Sequence, residues 1–232
     1  MHWAVSDVHG CYEQYRKLLE KIHFSPSDTL YFLGDAVDRG PEPMKVVLDL
    51  ASRDNVVPLL GNHDWLAWQV LRRFGETIAQ GGLPKGTPEE VAQYYFWRKR
   101  GGQTTLDSYR RATPAQRQTM LEYFARCKLW HQVRVGDTLY WMVHAGLGDY
   151  APERPPDSYT PRQLLIQRDD YTSPLSPDFT LLSGHTPTAV IDPSCPGRIW
   201  QGNGRVAIDC GISHGLTLGA YSLENGQCVY FP

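Results

Sequence analysis

Five short segments set Asp, His or Asn beside glycine: Asp7-Val8-His9-Gly10, Gly34-Asp35-Ala36-Val37-Asp38-Arg39-Gly40, Gly61-Asn62-His63-Asp64, His144-Ala145-Gly146 and Ser183-Gly184-His185. Carboxylate, imidazole and carboxamide are the donors of a mixed oxygen–nitrogen metal site, suited to Mn, Fe or Zn rather than Ca or Mg. Asp7 and His9 are two residues apart, so in extended backbone their side chains leave on the same side. Asp35 lies in a carboxylate loop between two such clusters, the natural place for a bridging ligand. Taken singly, none of these segments is specific. A lone D-x-H is more often a hydrogen-bonded turn than a metal site. G-N-H-D is a turn composition, because Asn and Gly tolerate positive φ. The force lies in finding all five in series.

The elements that would carry them are legible too. Six apolar runs, at 3–5, 30–33, 56–60, 139–143, 179–182 and 206–208, have the length and flanking Gly or Asp of strands. The first five each lead directly into one of the segments above. Between them, Tyr15, Leu18, Leu19 and Ile22, and again Met44, Val47, Leu48 and Ala51, follow helical spacing. Strand alternating with helix predicts an α/β fold. In such folds ligands gather beyond the carboxyl ends of the strands. Residues 65–128 carry mainly helical signals. Thr87-Pro88-Glu89-Glu90 and Thr113-Pro114-Ala115-Gln116 are capping boxes with proline at the first helical position, as is Thr160-Pro161-Arg162-Gln163 further on. The Pro- and Asp-rich stretch from 144 to 179 predicts a long loop with one short helix. We expect one domain over 1–232 with a helical insertion at about 65–128.

A formal net charge of −2 over 232 residues provides no basic field for nucleic acid or an acidic membrane. Arg98-Lys99-Arg100 and Arg110-Arg111 read first as solvated helix faces, and second as local aids to an anionic substrate. Cys11, Cys127, Cys195, Cys210 and Cys228 are odd in number and form no C-x-x-C pair, against a disulfide framework or thiolate zinc site. No apolar stretch approaches the roughly 18 residues of a membrane span, and no signal peptide precedes Asp7. The expectation is a soluble, cytoplasmic protein.

Together the motifs resemble the phosphoprotein phosphatase branch of the calcineurin-like metallophosphoesterases, in its compact bacterial and phage form. That pattern runs G-D-x-H-G, G-D-x-V-D-R-G, G-N-H-[ED], H-[AG]-G and G-H, and it spans residues 7 to 185 here. Asp209-Cys210-Gly211 and Gly215-Leu216-Thr217-Leu218 resemble the family's closing strands. The resemblance implies a central β-sandwich flanked by helices. It implies two divalent ions, with Mn expected and Fe or Zn compatible. Asp7, His9 and Asp35 would hold the first ion, and Asp35, Asn62, His144 and His185 the second. Two ions roughly 3.5–4 Å apart can clamp an in-line displacement and generate hydroxide near neutral pH. It further implies His63 as general acid, oriented by Asp38. Arg39 and Arg168 would bind the substrate phosphate, as guanidinium matches its oxygens. Ser6 replaces the usual glycine before Asp7, and Asp64 stands where many protein phosphatases carry Glu. The Trp found beside the second arginine in some members is missing from the Arg168 segment.

Three functions compete on these residues. The first is a serine/threonine, and also tyrosine, protein phosphatase acting on a phosphorylated protein or small phosphate ester. The second is a symmetrical dinucleoside polyphosphate hydrolase cleaving diadenosine tetraphosphate. A non-catalytic binding module is the third, and the full ligand set with His63, Asp38 and Arg39 counts against it. Asp38 favours the first, since the tetraphosphate hydrolases resemble G-D-L-V-A-R-G, whereas G-N-H-D points more weakly to the second. Of the remaining candidates, His214 sits in a loop that the resemblance implies approaches the site, with packing as its first reading and support of the site as its second, and Cys11 is expected to be an inert helix-start thiol.

Overall fold

Alternate side chains of the central strands go to different cores, which sets the layering. In the computed structural model, which describes residues 1–232, Ala4 of β1 (His2–Val5) and Tyr31 of β2 (Thr29–Phe32) face one way. Their neighbours Trp3, Val5, Leu30 and Phe32 face the other. Strands β1, β2 and β3 (Val56–Pro58) are parallel, pairing Val5 with Phe32 and Phe32 with Pro58. The second sheet comprises β4 (Trp130–Val135), β5 (Thr138–Val143), β6 (Thr180–Ser183), β7 (Trp200–Gly202) and β8 (Arg205–Ala207), in the order β4-β5-β6-β8-β7. At the end of the chain, β9 (Leu218–Ser222) and β10 (Cys228–Phe231) return to the first sheet, giving β10-β9-β1-β2-β3. Ala4, Tyr31 and Leu59 pack against Tyr140, Met142, Leu182 and Val206 to form the layer between the sheets. This is a sandwich of two mixed sheets with helices on the flanks, as the resemblance implies.

The outer face of the first sheet is covered by helices. Tyr15, Leu18 and Leu19 of α1 (Tyr12–Lys21) and Val46, Val47 and Leu50 of α2 (Pro43–Ser52) join Phe32 there. After β3 come α3 (Asn62–Ala79), α4 (Pro88–Trp97), a kinked junction at Arg98–Gly102, α5 (Gln103–Arg111) and α6 (Pro114–Arg126). Thr87 and Thr113 form the capping boxes their sequences predict, and Thr160 caps α7 (Pro161–Leu165) likewise. No helix is long and apolar enough to cross a membrane.

Strand register brings one rim together. The parallel trio β1–β2–β3 and the parallel run β5–β6–β8 both end there. Beyond the strands the loops stay tied, by Asp7 N–H to Gly34 O at 3.0 Å, His9 N–H to Asp35 O at 2.9 Å and Gly184 N–H to His144 O at 2.9 Å. Glycine at 34 is required twice over: its φ is +94°, and a Cβ would strike the backbone of Gly61. Strand β3 stops at Pro58, two residues before its apolar run does: the Leu59 N–H still reaches Phe32 O, but Pro58 O and the Leu60 N–H both pair with Lys128. The sequence reading did not anticipate β4, β7 or β10.

Candidate metal centre

The loops at this rim are held in unusual backbone. Asp7, His9, Asp35, Asp38, Arg39 and His185 all have φ between 47° and 72°. Left-handed backbone at a non-glycine residue costs of order 1–3 kcal/mol and persists where surroundings over-determine it. The buried carboxylate of Asp64, in the first turn of α3, does much of that here. It accepts the N–H groups of Asp35 (2.7 Å), Ala36 (3.0 Å), Val37 (3.3 Å) and Gly61 (3.1 Å). Burial, with the Asp35 charge beside it, pushes Asp64 up to about 7 against those four donors.

Asp35 sits at the centre. One oxygen lies 3.5 Å from His9 Nε2 and 3.5 Å from His144 Nε2, while the other accepts the His63 N–H at 2.9 Å. His9 and His144 hydrogen-bond through Nδ1 to the carbonyls of Val37 (2.9 Å) and Leu33 (2.7 Å), so each turns Nε2 inward. Asn62 Oδ1 is 3.0 Å from His144 Nε2 and 2.8 Å from His185 Nδ1, and His185 Nε2 donates to Ile166 O at 3.1 Å. Asp7 approaches from the opposite side, 4.0 Å from His9 Nε2, fixed by the Ser6 hydroxyl (2.5 Å) and the His185 N–H (3.0 Å). The rim thus gathers all six residues read as ligands. Atoms bound about 2.0–2.2 Å from one ion lie about 3 Å from each other, so the spacing fits a cation. Two donor triads share Asp35, one with His9 and His63 and the other with Asp7 and His144. His63 contributes no free lone pair to the first, because both its nitrogens are engaged.

Electrostatics points the same way. Burial lowers His9 to about 3 and His185 to about 4, keeping both imidazoles neutral and ready to ligate. Burial raises Asp7 to about 6. Asp35 would rise on burial too, but His144, His63 and His9 around it hold it well below the usual carboxylate range. Conversely, burial opposes the proton of His144, and Asp35 and Asp7 outweigh it and raise the imidazole.

His63 and Asp38 form a second unit. His63 Nδ1 is 2.7 Å from Asp38 Oδ2, and its Nε2 accepts from Arg39 at 3.1 Å. Burial would lower this imidazole, but the charges of Asp35 and Asp38 raise it on balance. Asp38 is fully buried and anchored from the helical region, by Trp97 Nε1 (2.9 and 3.1 Å) and the Thr105 hydroxyl (2.7 Å). Sequence reasoning missed those two donors, which lie 59 and 67 residues away and belong to no motif. Arg39 also donates to Ser213 Oγ at 2.9 Å and lies 3.5 Å from His214 Nε2, so His214 does approach the site. Arg168 lines the same cleft, of about 670 Å³. Asp209, placed in the sequence only as part of a closing strand, lines it as well and is buried. Burial pushes the Cys11 thiol up, away from a reactive thiolate.

Comparison with known proteins agrees with this site. The sequence profile of the calcineurin-like phosphoesterases matches residues 3–209. The symmetrical bis(5'-nucleosyl)-tetraphosphatase of Buchnera aphidicola subsp. Acyrthosiphon pisum (strain 5A) is 53% identical over 64 residues, 27% of this chain and 23% of that protein. The protein of the same name from Xylella fastidiosa (strain 9a5c) is 33% identical over 148 residues, 62% of this chain and 42% of that one. The matched stretches therefore span less than half the length of either relative. The crystal structure of a candidate diadenosine tetraphosphatase shares the fold, with a TM-score of 0.65 at 20% identity over 100% of this chain and 92% of that one.

The Asp64 clasp makes a sharp prediction. In Asp64→Asn one oxygen becomes an NH₂ that faces two backbone N–H donors. Two buried groups lose their partner, at about 1–3 kcal/mol each. Chemical denaturation should show the variant less stable by about 2–4 kcal/mol; a loss below about 0.5 kcal/mol would mean that other acceptors hold the Asp35 loop.

Proposed function

The chain belongs to the calcineurin-like phosphoesterase family, and on that premise we propose that it hydrolyses a phosphoric ester or anhydride with two divalent cations. Asp7, His9 and Asp35 would hold one cation, and Asp35, Asn62, His144 and His185 the other. Mn is the expected metal, with Fe and Zn compatible with the same donors. The observation that carries this reading is the Asp35 carboxylate, one oxygen of which stands 3.5 Å from an inward-facing imidazole nitrogen on each side. Bound there, the ions supply Lewis acidity and activate water near neutral pH. The chain's own groups do the rest. Arg39 and Arg168 hold phosphate oxygens, and His63 gives a proton to the departing oxygen. In the resting site the Arg39 guanidinium occupies the face of His63 from which that proton leaves. Nε2 accepts from Arg39 there and carries no proton; engaging a phosphate would draw Arg39 away and let Nε2 take up from solvent the proton it then gives.

For substrate we favour a dinucleoside tetraphosphate cleaved symmetrically, because the relatives that match part of this chain carry that activity in their names. This reverses the preference for a protein phosphatase drawn from Asp38. A second reading keeps one specific observation on its side. An alkoxide leaves badly without a proton, whereas a nucleoside diphosphate is a good leaving group, and the 2.7 Å Asp38–His63 pair is what an alkyl phosphomonoester needs. With the Mn-loaded protein, kcat/KM for diadenosine tetraphosphate should exceed that for a phosphoserine peptide at least tenfold. The opposite order would select the phosphomonoesterase reading. Under either reading, His63→Asn should cost about 10²–10⁴ in rate on the peptide and far less on para-nitrophenyl phosphate. Equal losses would make His63 a phosphate-positioning group.

Metal binding should be linked to protons. Ligation requires Asp7 and His144 to be deprotonated, and in the metal-free protein burial raises the first to about 6 while Asp35 and Asp7 raise the second. Cation binding at pH 7 therefore releases protons, and affinity falls as pH drops through about 6. Calorimetric titration with Mn at pH 7 should give heats that scale with the ionisation enthalpy of the buffer. Identical heats across buffers would show that His144 is already neutral before the metal arrives.

A further inference from the structure

One wall of the cleft is made by residues that neither metal binding nor phosphate clamping uses. It is formed by Trp65 and Gln69 from α3, Gln93 and Phe96 from α4, and Arg100 from the kink between α4 and α5. Phe96 is 52% exposed, with the Arg100 guanidinium 4.9 Å from its ring centroid. An exposed aromatic face with a cation over it, open to a polar cleft, is a platform on which a flat heteroaromatic ring stacks. Beside it the Gln93 carboxamide donates to that of Gln69. Whichever way the two amides are turned, this bond leaves one carbonyl oxygen and one NH₂ group unengaged by the protein. An adjacent amide donor and acceptor match the donor–acceptor edge of adenine.

The wall is also joined to the phosphate end. Gly101, whose φ of +112° and closeness to Arg39 exclude a side chain, accepts the Arg39 N–H at 3.0 Å. The kink between α4 and α5 that carries Arg100 thus sets the backbone of the proposed phosphate clamp. Arg98, Lys99 and Arg100 are all exposed, as a solvated face requires, and of the three Arg100 also lines the cleft.

We propose that this wall is a nucleobase subsite, in which Phe96 and Arg100 stack on an adenine ring while Gln69 and Gln93 contact its polar edge. The proposal rests on the reading that the substrate is a nucleoside polyphosphate, and it assigns the residues that would distinguish such a substrate from other phosphate esters. The readout is the ratio of kcat/KM for diadenosine tetraphosphate to that for para-nitrophenyl phosphate. Base–aromatic stacking predicts that Phe96→Ala lowers this ratio roughly tenfold or more, chiefly through KM. Phe96→Tyr, which keeps the aromatic face, should restore it to within about twofold. A ratio unchanged in Phe96→Ala overturns the subsite. Should the wild-type protein not cleave the tetraphosphate, the substrate reading fails, and the subsite is decided separately by inhibition of para-nitrophenyl phosphate hydrolysis. Adenosine monophosphate should then inhibit at a concentration at least tenfold lower than inorganic phosphate does, and Phe96→Ala should abolish the difference. Equal inhibition in the wild type, or a difference that survives Phe96→Ala, overturns it.

Discussion

Asp7, Asp35 and Asp209 are buried around one point, and none has a lysine or arginine as an ion-pair partner. An isolated buried carboxylate is costly unless it is paired, protonated or bound to a metal. Two other buried aspartates of the rim are satisfied by hydrogen bonds. Asp64 takes four backbone N–H groups, and Asp38 takes an indole, a hydroxyl and an imidazole. Of the remaining three, Asp7 and Asp35 lie against the imidazoles of His9 and His144, and the Asp209 carboxylate accepts the Gly211 N–H. A proton on His144, which Asp35 and Asp7 favour, offsets part of the charge in the metal-free protein, and divalent cations would offset it fully. The rest of the structure follows from keeping these groups together.

Keeping them together requires both sheets. The first delivers Asp7, His9, Asp35 and Asn62, and the second delivers His144 and His185, so neither sheet builds the centre alone. Left-handed backbone at six rim residues adds a cost that packing and the Asp64 clasp must sustain. The helical region between β3 and β4 has two attachments to the rim. Trp97 and Thr105 fix Asp38, which orients His63, and Gly101 fixes the backbone of Arg39. A region that reads in sequence as a helical insertion is therefore wired to the proton donor and to the arginine beside it.

Much of this was legible in the residues. Strands β1, β2, β3, β5, β6 and β8 announce themselves as short apolar runs that lead into Gly, Asp, His or Ser, and all six proposed ligands lie just beyond such runs. Strands β4 and β10 were harder, because β4 is a half-exposed edge strand and β10 is partly exposed along its length, so neither shows a continuous apolar stretch. β7 spans three residues and pairs only with β8. At the site, motif spacing exposes the groups that approach the rim but hides their supports. Asp64 reads as a variant of a family Glu, and only the fold shows it gripping the Asp35 loop. Trp97 belongs to no motif, and only the fold shows its N–H aimed at Asp38.

The central claim is that Asp35 bridges two cations. Electron paramagnetic resonance of the Mn-saturated protein, with manganese quantified in the same sample, tests it most directly. Ions sharing a carboxylate at roughly 3.5–4 Å are magnetically coupled. The wild-type protein should bind two Mn per chain and give a coupled spectrum, which Asp35→Asn should lose along with bound metal. One Mn per chain, or two that give only the six-line spectrum of isolated ions, would contradict a bridge at Asp35.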